Sequence, residues 1–214
     1  MKIGVLGGTF DPVHMGHLLL AEGAARAASL DRVLFMPAHI QPFKQGMPVT
    51  TGFDRVEMLR LAINGNAKFE ITDVELLRGG VSYTIDSLRR LRDGYCLVPS
   101  DGSDGGNGTE WSFIVGADMF LSLGKWKEYD SLMKEFSFVV GRRPGYLEDE
   151  TASAAKEYEA MHDAKITVAD NTWMDVSSSE IRRRVVSGES IRYMTPDSVA
   201  GYIAERGLYG YKKD

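Results

Sequence analysis

The sequence predicts an α/β fold: a doubly wound, Rossmann-like parallel sheet of five or six strands, with helices on both faces and two C-terminal helices. Three observations carry this. Short β-branched and aromatic runs alternate with segments of helical periodicity, the pattern of repeated βαβ units. The chain opens with a strand, a glycine pair and a helix, which is how a crossover that binds phosphate begins. Its 214 residues are 43% hydrophobic and 26% charged, which suits a single domain over 1–214 with a substantial core.

The elements follow in order. Lys2-Ile3-Gly4-Val5-Leu6 reads as a buried strand running into a glycine turn, and Leu18 to Ala25 as a helix. Arg32 to Pro37 is a second strand, ended by its proline. Residues 38–48 form a loop that holds Pro42 and Pro48. From Gly52 to Asn64, Val56, Leu59 and Ile63 keep helical spacing. Phe69 to Thr72 is a third strand. Ser82 or Thr84 caps a helix containing Ile85, Leu88 and Leu91. Trp111–Val115, Phe136–Val140 and Lys165–Val168 complete the strands, and Ser178–Ser187 and Pro196–Arg206 are the closing helices. Crossovers are expected to be right-handed. Residues 100–109, small, polar and rich in glycine, cannot bury apolar area and are expected to be a flexible insertion loop. No internal repeat is visible.

Composition narrows the classes. No apolar run approaches the ~20 residues that span a bilayer, so no membrane role is expected. The amino terminus leads straight into a strand, which predicts no secretory signal. One cysteine, Cys96, allows no internal disulfide and suits a reducing cytoplasm. A net charge of -5 does not favour nonspecific nucleic-acid binding. Local positive charge comes from Arg182-Arg183-Arg184, Arg142-Arg143 and Lys44. The sequence leaves homo-oligomerisation open.

The chemistry-bearing segment is Gly7-Gly8-Thr9-Phe10-Asp11-Pro12-Val13-His14-Met15-Gly16-His17. Gly7 and Gly8 lack a Cβ, so the backbone is expected to turn sharply and present N–H groups to a ligand. Pro12 biases Asp11 away from helix, and Pro12 or Val13 is expected to open the helix. His14 and His17, three apart, share one face of the first turn. There the helix dipole and unpaired N–H groups favour an anion, and imidazole donors would add to them. Gly16 is expected to leave room for a ribose or base. Zinc would require further ligands. His39 and His162 lack ligand-like spacing and Cys96 stands alone, so no protein metal site is expected.

The same run resembles the signature of the nucleotidylyltransferase superfamily with a His-x-Gly-His motif. Its closest match there is the bacterial nicotinate mononucleotide adenylyltransferase family. Val176-Ser177-Ser178-Ser179-Glu180-Ile181-Arg182 is similar to that family's Ile-Ser-Ser-Thr-x-Ile-Arg segment, departing at Val176 and Ser179. Gly116-Ala117-Asp118 with Leu123 and Trp126 resembles its middle segment, and Phe138 to Tyr146 its strand ending in Arg-Pro-Gly. The likeness spans nearly the whole chain in order, although the family's connection near residues 100–109 is shorter.

The resemblance implies transfer of the adenylyl group of ATP to nicotinate mononucleotide, giving deamido-NAD and pyrophosphate. Nicotinamide mononucleotide and phosphopantetheine are the alternative acceptors, and a nucleotide sensor without turnover is the distant one. A class I tRNA synthetase is disfavoured, because the chain lacks room for an anticodon domain and lacks a basic balance. The implied ATP ligands are Gly7, Gly8, Thr9, Phe10, His14, His17, Asp118, Ser178, Ser179 and Arg182. His14, His17, Lys44 and Arg182 would act on the reacting phosphates, and Thr84, Trp126, Arg143 and Lys44 would meet the acceptor. Ordinary readings compete: a helix cap for Asp118, a core position for Trp126, an exposed loop lysine for Lys44. His39 and Trp173 are left without a role. An acceptor phosphate is ionised at neutral pH, so the reaction needs alignment and charge neutralisation, with no general base and no covalent enzyme intermediate. Magnesium is expected, held mainly by substrate phosphates and water.

Overall fold

The computed structural model describes residues 1–42, 49–94, 108–142, 148–172 and 174–211. Among them six strands form one sheet: β1 (Lys2–Gly8), β2 (Arg32–Pro37), β3 (Phe69–Ile71), β4 (Glu110–Gly116), β5 (Ser137–Gly141) and β6 (Ile166–Ala169). Their order is β3-β2-β1-β4-β5-β6, and every neighbouring pair is parallel. This is the doubly wound arrangement expected. Strand order reverses between β1 and β4, so their carboxyl ends frame the crevice where such sheets bind ligands.

The helices are α1 (Met15–Ala27), α2 (Gly52–Ile63), α3 (Val74–Arg78), α4 (Thr84–Gly94), α5 (Ala117–Phe120), α6 (Tyr129–Glu135), α7 (Glu148–His162), α8 (Ser178–Ser187) and α9 (Asp197–Arg206). Alternation along the strands sorts side chains onto two faces. Ile3, Val5, Leu34, Phe113 and Phe138 point to one core with Ile85, Leu88 and Leu91 of α4 and Leu132 of α6. Leu6, Phe35, Ile114 and Val139 point to the other, with Ala21 and Ala24 of α1, Met58 and Leu59 of α2, and Val199 and Ile203 of α9. Both faces are covered, as a buried parallel sheet requires.

Several boundaries differ from the sequence expectation. α1 begins at Met15, with His14 as its extended N-cap, and not at Pro12 or Val13. The Asp11–Pro12 peptide is cis, so this stretch is a loop of its own before the helix. The short helices α3, α5 and α6 and the longer α7 were not anticipated: three are too brief to show a period, and α7 is rich in alanine and charge. Residues 100–107 of the expected insertion lie outside the described residues. Among the described residues no helix is long and apolar enough to cross a membrane.

Candidate active site

The loop after β1 is built from the backbone outward. Gly7 and Gly8 do not turn. They continue β1, in register with Met36 and Pro37 of β2. Their missing Cβ atoms make room for aromatic rings instead: a Cβ on Gly7 would lie 3.3 Å from the Phe113 ring, and one on Gly8 2.9 Å from that of Phe10. The turn is made by Phe10, at φ 51°, a conformation uncommon for a bulky residue. Thr9 reaches sideways, its hydroxyl donating to the Gln41 side chain at 3.1 Å.

Arg55 of α2 fixes this loop from beneath. It is 2% exposed. Its Nη1 donates to the carbonyls of Thr9 (2.9 Å) and Ala38 (2.7 Å), and its Nε to that of Thr50 (3.3 Å). Burial lowers its pKa, and the nearby Asp11 charge opposes that. Asp11 is equally buried. Its Oδ1 accepts from the Thr50 hydroxyl at 2.6 Å and from the Tyr209 hydroxyl at 2.8 Å. Burial first, and the Asp11 charge second, push the Tyr209 phenol well above its usual pKa.

The two histidines meet at the start of α1. Their rings stack at 3.7 Å between centroids, and the Phe10 ring meets His17 edge-on at 4.9 Å. The His14 backbone N–H donates to His17 Nδ1 at 3.3 Å. An acceptor at Nδ1 places the proton of a neutral ring on Nε2, the tautomer suited to donate to an oxyanion. Gly16 does not hold space open for a ligand: a Cβ there would come within 3.1 Å of the His14 ring and 3.2 Å of Val176. Its role is to let the His14 imidazole lie against the helix. The corner is also tied to the end of the chain, with Met15 N–H donating to the Met194 carbonyl and the Thr195 hydroxyl to that of Val13.

The late serine–arginine segment reaches the same loop. Ser177 is the N-cap of α8 and accepts from the Glu180 N–H. That leaves Ser178 to donate to the Pro12 carbonyl at 2.8 Å. Arg182, one turn in, donates from Nη1 to the Asp11 carbonyl at 2.6 Å and from Nη2 to the Ser179 hydroxyl at 3.2 Å. Ser178, Ser179 and Arg182 therefore stand at the loop that carries His14 and His17. Arg183 and Arg184 pair instead with Glu180, and Arg183 also with Glu189.

Across the switch point, Asp118 follows β4 directly, in the first turn of α5. Gly116 is the N-cap there, so Asp118 is not the cap. Trp126 ends a short 3-10 turn, Leu123–Lys125. It packs against the core that contains Leu123 and Leu132 and meets Phe113 edge-on at 5.8 Å. Its indole Nε1 is buried with no hydrogen-bond partner among the described residues. Phe113 thus touches both sides, under Gly7 and beside Trp126. Thr84 opens α4, partly buried. The Ser82 hydroxyl accepts the His39 N–H at 3.0 Å, joining the loop after β2 to the approach to α4, and bonds the Glu75 carboxyl of α3. Lys44, Arg143 and Trp173 lie outside the described residues. Among those described, no three His, Cys, Asp or Glu side chains cluster as a metal site.

Sequence reasoning missed Arg55, Thr50, Tyr209 and the carboxylate of Asp11. Arg55 sits inside an ordinary helical pattern, and Tyr209 near the far end of the chain; no local signal marks either as buried beside the first motif.

A parallel sheet with imidazole, guanidinium and helix-start donors gathered at its switch point defines a Rossmann-like protein built to handle a phosphorylated ligand. The solved structures of Plasmodium falciparum nicotinic acid mononucleotide adenylyltransferase, complexed with APC and with NaAD, share this fold. Each superposes with a TM-score of 0.76 at 19% and 20% identity, covering 99% of this chain and 98% of the other. The chain belongs to the cytidylyltransferase-like family, whose model matches residues 5–184, and within it to the nicotinate-nucleotide adenylyltransferases. A relative from Exiguobacterium sibiricum named "Probable nicotinate-nucleotide adenylyltransferase" is 39% identical over 209 residues, covering 98% of this chain and 99% of its own. One of the same name from Geobacillus kaustophilus is 42% identical over 209 residues, covering 98% and 86%.

Proposed function

We propose that this enzyme transfers the adenylyl group of ATP to nicotinate mononucleotide, releasing pyrophosphate and forming deamido-NAD, in NAD biosynthesis. The single observation that carries the reading is the meeting of two distant segments. The stacked His14–His17 pair and the Ser178–Arg182 turn share the Asp11–Pro12 corner.

One oxygen of the acceptor phosphate forms a bond to the α-phosphorus of ATP. The bond from that phosphorus to its bridging oxygen breaks, and pyrophosphate leaves. No proton has to be removed from the nucleophile, so the protein's task is alignment and stabilisation of charge. His14 and His17 stabilise the α-phosphate as donors and do not carry protons. The start of α8 supplies N–H groups, including that of Ser178, whose hydroxyl holds the Pro12 carbonyl, together with the Ser179 hydroxyl and the fixed charge of Arg182 for the outer phosphates. Gly7, Gly8, Thr9 and Phe10 form the floor under the nucleotide, and Asp118 accepts from a ribose hydroxyl. Trp126 stacks on the pyridine ring, with Thr84 beside it. Lys44 and Arg143 complete the set by their places in the sequence: Lys44 near the reacting phosphates, Arg143 as the cation that selects carboxylate over carboxamide.

Magnesium fits this donor set as an ion held by substrate oxygens and water. The nearby protein groups are donors, and the Asp11 carboxylate is already engaged by Thr50 and Tyr209. When bound, the ion would neutralise charge on the triphosphate.

The test is pyrophosphate release with ATP and magnesium against nicotinate mononucleotide, nicotinamide mononucleotide and phosphopantetheine. A clear preference for the first is expected. Equal efficiency on the two pyridine nucleotides overturns the Arg143 role, and turnover with phosphopantetheine alone overturns the acceptor.

A further inference from the structure

We propose that Tyr209 is a positioning residue for ATP, acting through Asp11 on Arg182. The proposal rests on the reading of Arg182 as a ligand of the outer phosphates.

Tyr209 and Asp11 stand 198 positions apart in sequence, yet the phenol donates to the buried Asp11 carboxylate at 2.8 Å. Arg182 donates to the main-chain carbonyl of that same residue at 2.6 Å. One residue is thus gripped at its side chain by the end of the chain and at its backbone by the arginine of α8. The Asp11 carboxylate, 1% exposed, has little water to replace a lost donor. Without the phenol the carboxylate keeps the Thr50 hydroxyl on Oδ1 and the long contacts from the Thr50 N–H at 3.4 Å. The carboxylate would then resettle toward the remaining positive partner, Arg55, and tilt the Asp11 peptide. The guanidinium is planar, and its fork is set by what its edges touch. The Asp11 carbonyl and the Ser179 hydroxyl take Nη1 and Nη2 donors and so orient the others. A tilt at Asp11 turns that fork away from the phosphates.

The backbone supports a functional reading over simple space-filling. Tyr209 lies at φ 58°, ψ 22°, inside the short 3-10 turn Leu208–Gly210. Phe10, next to Asp11, lies at φ 51°. Two aromatic residues hold the left-handed region on either side of one hydrogen bond. Such conformations persist only where their surroundings over-determine them, and they gather at functional sites.

The experiment compares Tyr209→Phe with the unaltered protein by calorimetric titration of ATP and of AMP, which lacks the outer phosphates. ATP binding is expected to weaken about tenfold while AMP binding stays unchanged. Placed on Arg182→Ala, the same change is expected to add nothing to the loss of ATP binding, because both act on one contact. Should Tyr209→Phe not fold, Thr50→Val removes the other hydroxyl donor to the same oxygen and carries the same prediction. An equal loss for ATP and AMP, no loss, or an undiminished loss on Arg182→Ala overturns the proposal. If Arg182→Ala itself binds ATP normally, the reading of Arg182 fails and the proposal falls with it. If Arg182→Ala binds poorly while Tyr209→Phe is normal, the proposal alone is lost.

Discussion

The loops after β1 and β4 flank one crevice between neighbouring parallel strands, yet they are held in place by different forces. The β1 side is pinned by directed hydrogen bonds to main-chain carbonyls: Arg55 on Thr9, Arg182 on Asp11, Ser178 on Pro12 and Thr195 on Val13. The β4 side is seated by packing, with Trp126 against Phe113 and the core around Leu123 and Leu132. Hydrogen bonds fail sharply with angle and distance, whereas apolar contacts allow small adjustments at little cost. On the proposed reading, the side that aligns the reacting phosphorus is the one held by directed hydrogen bonds, and the side that accepts the ring is the one held by packing.

The comparison breaks most visibly at His17. On the rigid side, His17→Ala is expected to lower kcat by about 10²–10³, the loss typical of one preorganised donor to a developing oxyanion, with little change in ATP affinity. Steady-state rates alongside direct ATP titration measure both. A fall in affinity as large as the fall in rate would make His17 a ground-state ligand and remove the reason for rigidity there.

Next in size is Arg55. Arg55→Met leaves the carbonyls of Thr9, Ala38 and Thr50 without their Arg55 donor, and takes one of the nearby positive charges from Asp11. Each orphaned buried group costs about 1–3 kcal/mol. A loss near ~3 kcal/mol is expected in urea denaturation, because water can reach some of the freed groups. A loss under ~1 kcal/mol would mean the pinning is not what holds the loop.

How far the sequence carried these two sides follows from the same contrast. The doubly wound sheet and its strands were legible, because short apolar runs alternating with helical periods are local patterns, and the tie between α8 and the first motif came with the family resemblance; the strand order was not read. The reading of Gly7 and Gly8 as a turn failed because a missing Cβ serves two ends: it frees φ, or it admits a neighbour. Only the register with Met36 and Pro37 and the closeness of Phe113 and Phe10 decide between them. Gly16 misled for the same reason. Arg55 and Tyr209 were illegible because their partners are 46 and 198 residues away, and nothing along the chain marks a long-range polar pair. Asp118 and Trp126 were each given two roles. The structure removes the cap for Asp118 and retains the core contact for Trp126.

On the adaptable side, Trp126→Ala should act on the acceptor and spare ATP. An aromatic contact is worth about 0.5–1.5 kcal/mol beyond burial, so KM for nicotinate mononucleotide is expected to rise about tenfold, with KM for ATP unchanged. Trp126→Phe should recover most of it. Loss for both substrates together would show that the β4 side is as tightly coupled as the β1 side, and would erase the contrast.

The smallest effect refines the comparison to a single helix turn. One face of α8 grips the loop through Ser178 and Arg182, and another carries Glu180 paired with Arg183 and Arg184 in solvent. Hydrogen bonds from these arginines pull the Glu180 pKa from 4.5 to about 2. A carboxylate lowered in the folded state contributes stability above its unfolded pKa, and that contribution is lost as pH falls through the folded one. Glu180→Gln should therefore flatten the stability profile between about pH 4.5 and pH 2. The difference should be small because the pair is exposed, and it should shrink further in high salt. Thermal melts across that range, at low and high salt, measure it, and ATP binding at neutral pH should not move. A drop in ATP binding with Glu180→Gln would mean the solvent face also orients Arg182, and the division of α8 into a gripping face and an idle one would fail.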